Sequence, residues 1–506
     1  MAGPYRAAEP EARAHTPLAT AALRGAGWRF ASEFAGKGLV LVSTAILARL
    51  LDHDDFGVAA YALTLMALFG AVPTLGLGPA LIYHADDDRY TSTGFWLGLA
   101  GALGGTAIVW ALAPLSEHLF GDPRAIDVTR AMGLIFPIEA LSNVHGAMLR
   151  KRLAFRIGVI PELTRSLVKG LASIVLALMG FGAWSLIGGT LAGALAAVPV
   201  YWIVLGWRPH WRFDRDAAAE LIPFGGHLVA VNTLGAAVRN LDYVFVGRLL
   251  GATALGVYTL AFRLPDLLIR NLVAVLGQVL LPIYSKLREE RAPVSTAFAT
   301  TTGYVVAVTA PMAVGLALLA EPVVLVAFSA KWIDVVPVVA PICLYALFVS
   351  ISFNIGDLYK ALGRPDVLTR LGFVRLALAV PALWGSAAIG GSAAAVGWAQ
   401  AVIALAMMAI ELGVARATFG LPIGTALAPA VPVVVASGAM ALAIHAVDAP
   451  LAAQPALLRL IAGAAAGTLV YALALWVVAR RFVALGLAVL RSALDRRQAA
   501  WEAARP

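Results

Sequence analysis

Long apolar runs succeed one another along nearly the whole chain, and few folds can accommodate that. Fourteen of them lie near 28–51, 56–82, 92–113, 127–148, 158–180, 183–206, 219–247, 255–283, 299–320, 334–359, 366–389, 392–415, 424–447 and 457–479. Each is about 20 residues or longer, the length a helix needs to cross a hydrocarbon core. The runs are continuous rather than alternating, which excludes a β-barrel. Composition agrees: 61% of residues are hydrophobic and only 13% charged, against about 25% charged in soluble domains. Mean hydropathy is +0.85. The expected fold class is an all-α polytopic membrane protein with about 14 transmembrane helices.

The basic residues then set an orientation. Lys and Arg crowd alternate connections: Arg150, Lys151, Arg152 and Arg156 after the fourth run, Arg208, Arg212 and Arg215 after the sixth, Lys286, Arg288 and Arg291 after the eighth, and six Arg after the last. The intervening connections carry only Arg49, Arg124, Arg248, Lys331 and Arg459. This is the positive-inside pattern, and it predicts cytoplasmic N- and C-termini. It also accounts for the net charge of +9 without nucleic acid. The first 27 residues have no apolar h-region, so they read as a cytoplasmic tail rather than a cleaved signal.

One stretch is written twice. Ala48–Thr64 reads ARLLDHDDFGVAAYALT and Gly247–Arg263 reads GRLLGATALGVYTLAFR. Without a gap, Arg49 aligns with Arg248, Leu50–Leu51 with Leu249–Leu250, Gly57 with Gly256 and Val58 with Val257, an offset of 199 residues. Six runs separate the copies. An even number means both copies enter the membrane in the same direction, as in a parallel repeat about an axis along the membrane normal. The expected organisation is a tail at 1–27, six-helix lobes at 28–210 and 211–418, two extra helices at 419–480 and a second tail at 481–506.

Ionisable residues at membrane depth are costly and mark function by default. Glu33 and Lys37 share a face of the first run. Asn232, Arg239 and Asp242 of the seventh fall within an arc of about 80°. Arg263, Asp266 and Arg270 of the eighth form a stripe, as do Glu162, Arg165 and Lys169 of the fifth, while the tenth carries Asn354 and Asp357. Intrahelical ion pairing or snorkelling is the plain alternative for all of them. Arg recognises phosphate through paired hydrogen bonds, so Arg239, Arg263 and Arg270, with Lys37 and Asn232, are the expected binding set for an anionic substrate. Glu33, Asp242, Asp266 and Asp357 are expected to balance charge or carry protons.

No catalytic, metal or cofactor constellation is legible. A Walker A loop, HExxH, CxxC and a nucleophile elbow are absent in any meaningful context. GGT at 188–190 reads as a helix-packing patch. Isolated His145 reads as a packing residue, as does the single cysteine, Cys343, in PICLYALF. The expectation is a protein that is not an enzyme and holds no cofactor.

Two segments carry a family resemblance. RNLDYVFVGRLLGATALGVYTLAFRL (Arg239–Leu264) and AMLRKRLAFRIGVIPELTRSLVKGLASIVLALMGFGAWSLIGG (Ala147–Gly189) closely resemble the polysaccharide exporters, or Wzx-type flippases, of the multidrug/oligosaccharidyl-lipid/polysaccharide superfamily. The resemblance implies a V-shaped fold of two lobes. It implies translocation of undecaprenyl-pyrophosphate-linked oligosaccharide from the cytoplasmic to the periplasmic leaflet of the bacterial inner membrane. A lipid-linked substrate, membrane lipids, and a polysaccharide polymerase and glycosyltransferases are the implied partners. A lipid II flippase and a multidrug extruder share the superfamily fold and stand as alternatives. A membrane scaffold for glycosyltransferases is the non-transport alternative, and it would give the buried Arg residues little purpose.

Overall fold

The computed structural model describes residues 36–70, 75–83, 87–152, 154–270 and 294–480, with Val273, Tyr284, Leu287 and Ala484. Among them there is no strand, and each expected span is largely helical where it is described. Nine helices are long and apolar enough to cross a membrane among the described residues. The other expected spans fall short for identifiable reasons. The first begins outside the described residues and is helical over 36–50 (α1). The second is broken: α2 (His53–Phe69) and the short α3 (Leu77–Tyr83) flank Leu75 and Gly76, whose φ values are 47° and 60°. The fifth, α7 (Phe155–Leu178), carries the Glu162, Arg165, Lys169 stripe.

The fourth span is also broken, into α5 (Arg124–Gly133) and α6 (Ile135–Lys151). Pro137 explains the position. It has no N–H to give to the carbonyl four residues back, and Gly133 O instead accepts from Thr106 Oγ1 at 3.0 Å. Thr106 lies in α4 (Asp88–Phe120), so the break is filled by a neighbouring helix rather than left unsatisfied, as the membrane interior requires.

The seventh and eighth spans form one segment, α9 (Arg215–Pro265), with Gly251 at φ 83° and ψ −178° inside it. That conformation is glycine's. The chain doubles back there. Sixteen residues of straight helix would span about 24 Å, yet the Tyr258 hydroxyl donates to Asp242 Oδ2 at 2.8 Å. The Tyr243 and Tyr258 rings meet edge to face at 5.4 Å. The counterpart of Gly251 at the repeat offset is Asp52, which lies at the break between α1 and α2. The two copies therefore change direction at equivalent positions.

The copies also touch. A Cβ on Gly57 would lie 1.8 Å from Ala252 O, and one on Gly256 would lie 2.0 Å from His53 O. His53 is the repeat counterpart of Ala252, and Gly57 of Gly256. Equivalent backbones thus press on one another reciprocally across a local two-fold. Small residues permit such close approach between membrane helices.

The chain divides into two compact units, Met1–Thr259 and Leu260–Pro506. The division is not at the 210/211 loop where the repeat places its lobes. Two features hold 211–259 to the first unit. One is the Gly57–Ala252 crossing. The other is the 206–214 loop, pinned to the start of α4: Ser92 and Thr93 hydroxyls accept from the His210 and Asp214 amides, both at 3.1 Å, and Asp88 meets His210 Nδ1 at 2.7 Å. In the same unit α8 (Ala183–Leu205) lies backbone-close on α7, since a Cβ on Gly189 would fall 1.9 Å from Ser173 Oγ and one on Gly193 2.6 Å from Arg165 O. The glycine patch is helix packing, as expected. His145 is buried between Trp202 and Trp207, its ring nitrogen 3.2 Å from Trp207 O.

The second unit packs α10 (Val294–Leu318), α12 (Val336–Ala361), α14 (Ala393–Phe419), α16 (Ala430–Asp448) and α17 (Ala456–Val478), with the short α11 (Ala320–Ala327) and the lipid-length α13 (Pro365–Gly390) and a turn, α15 (Ile423–Leu427). Arg459 at the start of α17 is buried and bridges Asp448 Oδ1 at 2.9 Å and Glu321 Oε1 at 3.2 Å. That tie fastens the last two helices to α11.

Candidate functional site

Four of the expected site residues lie in the first unit. Lys37 sits half-buried in the first described turn of α1 and is already engaged by a neighbour. Asn232 and Arg239 are both exposed on the first arm of α9, two turns apart and so on one face. Gly235 lies between them and admits the Arg239 guanidinium, since a Cβ there would fall 3.0 Å from Nη1. Asp242, by contrast, is 1% exposed and accepts from Tyr258; it clasps the arms of the hairpin. Glu33 lies outside the described residues.

The other four lie in the second unit. Arg263 is half-buried, and among the described residues it makes no hydrogen bond or ion pair. Asp266 and Arg270 occupy a π-helical turn (Asp266–Arg270) that continues α9, and they pair with each other at 2.7 Å. Asp357 is buried and takes Lys360 Nζ at 2.9 Å, one turn on. Asn354 is held in a buried network, its Oδ1 accepting from Tyr284 at 2.8 Å and its Nδ2 donating to Thr302 Oγ1 at 2.9 Å. The fifth-span stripe is consumed by packing partners in the first unit: Arg165 meets Glu139 at 2.7 Å and Glu162 accepts from Tyr201 at 2.6 Å.

One cleft collects an expected residue with two that sequence reasoning passed over. It lies in the first unit, measures about 220 Å³, and is lined by Asn232, Asn143 and Arg150 over a wall that includes Gly78, Gly94 and Gly98. Three of its apolar lining residues, Leu77, Leu81 and Val144, belong to a buried cluster with Ala80, Phe95 and Met148, backed by Trp96 and Trp202. In α6 every residue from Ser142 to Arg150 is buried except Asn143 and Arg150. These two are seven apart and on one face. An exposed Asn143 at helix depth is turned to water, not lipid, and Arg150 continues that face at the end of α6. The Arg150 guanidinium lies across two glycines, since Cβ atoms on Gly78 and Gly146 would each fall 3.5 Å from it. Among the described residues it makes no hydrogen bond or ion pair. Arg150 escaped notice because it opens the run Arg150, Lys151, Arg152 and reads there as loop charge. Its spacing from Asn143 was the available signal.

An all-helical membrane fold of internally repeated hairpins, with a polar cleft between its helices, defines a transporter-like architecture. The chain belongs to the polysaccharide biosynthesis protein family, whose model matches residues 46–337. It is 27% identical over 370 residues to the succinoglycan biosynthesis transport protein ExoT of Rhizobium meliloti (strain 1021), covering 73% of this chain and 75% of that one. It is 24% identical over 380 residues to the lipopolysaccharide biosynthesis protein WzxC of Escherichia coli (strain K12), covering 74% and 75%. Among solved structures, the lipid II flippase MurJ in an inward closed conformation superposes with a TM-score of 0.71 at 15% identity, covering 90% of this chain and 99% of that one. At that identity the likeness speaks for the fold alone.

Proposed function

We propose that the chain is a flippase of surface-polysaccharide biosynthesis, moving undecaprenyl-pyrophosphate-linked oligosaccharide units from the cytoplasmic to the periplasmic leaflet of the bacterial inner membrane. The observation that carries this is the pair of exposed polar stripes, Asn143–Arg150 and Asn232–Arg239, on membrane helices of a polysaccharide biosynthesis family member. Water-facing Asn within the helices and Arg beside them suit a substrate with an anionic, hydroxyl-rich head and a lipid tail that stays in the bilayer. The tail needs no binding site, because the bilayer already solvates it.

Both termini face the cytoplasm in this reading, and the protein binds and releases its substrate without covalent chemistry. The two repeat-related lobes expose the site alternately to each side. The enzymes that supply the lipid-linked unit and the polymerase that consumes it are the expected partners. Deletion of the chain tests the reading: lipid-linked repeat units should accumulate and surface polysaccharide should fall. Deletion with normal polysaccharide and no accumulation, in a strain with no second exporter, would sink it.

A further inference from the structure

The geometry points to the Arg150, Asn143 and Asn232 cleft as the seat for the first sugar and the diphosphate of the lipid-linked head group on its cytoplasmic side, with Arg150 as the phosphate ligand. The inference rests on the flippase reading above. Its residues are distinct from the Arg263 and Arg270 stripe of the second unit.

Four observations carry it. The guanidinium makes no hydrogen bond or ion pair among the described residues. The five-donor fork of Arg matches phosphate oxygens two at a time. The other polar side chains lining the cleft, Asn143 and Asn232, are carboxamides, which both donate and accept. That is the chemistry of sugar hydroxyls rather than of a second phosphate. Among the described residues no carboxylate lines the cleft to repel an anion. Its volume of about 220 Å³ falls below the roughly 300–1,000 Å³ of ordinary small-molecule pockets. It therefore takes one end of a head group and leaves the rest of the repeat unit outside. This explains how one site could serve units of varied length.

The test uses the full chain in phosphatidylcholine nanodiscs with three probes: farnesyl-diphospho-glucose, farnesyl diphosphate and phosphatidylglycerol. Arg150→Gln should weaken both diphosphate probes by at least about tenfold, since a hydrogen bond to a charged group is at stake. Arg150→Lys should recover part of the loss, keeping charge but not the fork. Asn143→Ala and Asn232→Ala should weaken the glucose-bearing probe by a larger factor than farnesyl diphosphate. Unchanged diphosphate binding by Arg150→Gln overturns the inference. So does phosphatidylglycerol that binds as tightly as the diphosphates with the same dependence on Arg150, which would make the cleft a lipid-surface site. Binding of both diphosphates without dependence on Arg150 would leave the flippase reading standing. Failure of the unaltered protein to bind either would remove that reading itself.

Discussion

Replacing Gly57 by Ala should damage the fold more than any other glycine-to-alanine change in α2 or α4. The added methyl would begin 1.8 Å from Ala252 O and 2.4 Å from its carbonyl carbon. Real Cβ contacts essentially never fall under 3.0 Å, so the two backbones must part by more than an ångström. Neither wall is a side chain that can rotate away. Overpacking typically costs 1–3 kcal/mol, and a rigid backbone on both sides places this site at the top of that range. The intrinsic helical gain of Ala over Gly, about 1 kcal/mol, returns part of it. The net expectation is a loss of about 2 kcal/mol, read as a melting temperature several degrees lower for the purified protein and as reduced membrane abundance. Gly256→Ala should behave alike, its methyl meeting His53 O at 2.0 Å. The double variant should lose less than the sum, because separating the helices once accommodates both methyls. Gly104→Ala in α4 is the control: nothing lies within 4 Å of its Cβ position, so it should be neutral or slightly stabilising. Equal melting temperatures for Gly57→Ala and Gly104→Ala would refute the reciprocal crossing.

Arg459→Leu should lower the melting temperature, because it strands Asp448 and Glu321. Breaking a buried pair costs about 3–5 kcal/mol, but Glu321 is 46% exposed, which brings the expectation to about 1–3 kcal/mol; a stability equal to the parent would show that the tie is idle. Arg263→Gln should keep normal abundance and reduce export, since no partner is left behind among the described residues. Arg270→Gln should lower abundance by unpairing Asp266, and Asp266→Asn should restore it; loss of abundance from Arg263→Gln would reverse the two assignments. Reporter fusions at Arg212 should read cytoplasmic and those at His53 and Lys331 periplasmic, and a periplasmic reading at Arg212 would break the proposed orientation.

The hairpin repeat was legible because Arg-Leu-Leu and the glycine six residues beyond keep the same spacing in both copies. What the spacing lacks is any sign that the copies meet: that Gly57 rests on Ala252 and Gly256 on His53 is a tertiary event between residues about 200 apart. The bond from Tyr258 to Asp242 was equally hidden, since sixteen residues is no period of a helix and only the reversal at Gly251 brings the two together. The Asp266–Arg270 pair, by contrast, follows from i,i+4 spacing alone. The fourth run reads as one continuous span at 127–148; Pro137 held the clue to its break, but the rescue by Thr106 depends on a neighbouring helix. Arg150 was masked by the positive-inside pattern itself. A cation beside two others looks like orientation charge, and only the burial of everything between it and Asn143 shows which way it faces.

The most direct measurement is transbilayer movement of a prenyl-diphospho-sugar by the purified chain. Proteoliposomes would carry a fluorescent farnesyl-diphospho-glucose in both leaflets, and an impermeant quencher added outside would report what reaches the outer leaflet. The flippase account predicts that quenching proceeds past the outer-leaflet half only in vesicles that contain the protein, with a rate that falls in Arg150→Gln. Quenching that stops at half in protein-containing vesicles, or that runs equally fast in empty ones, would contradict it.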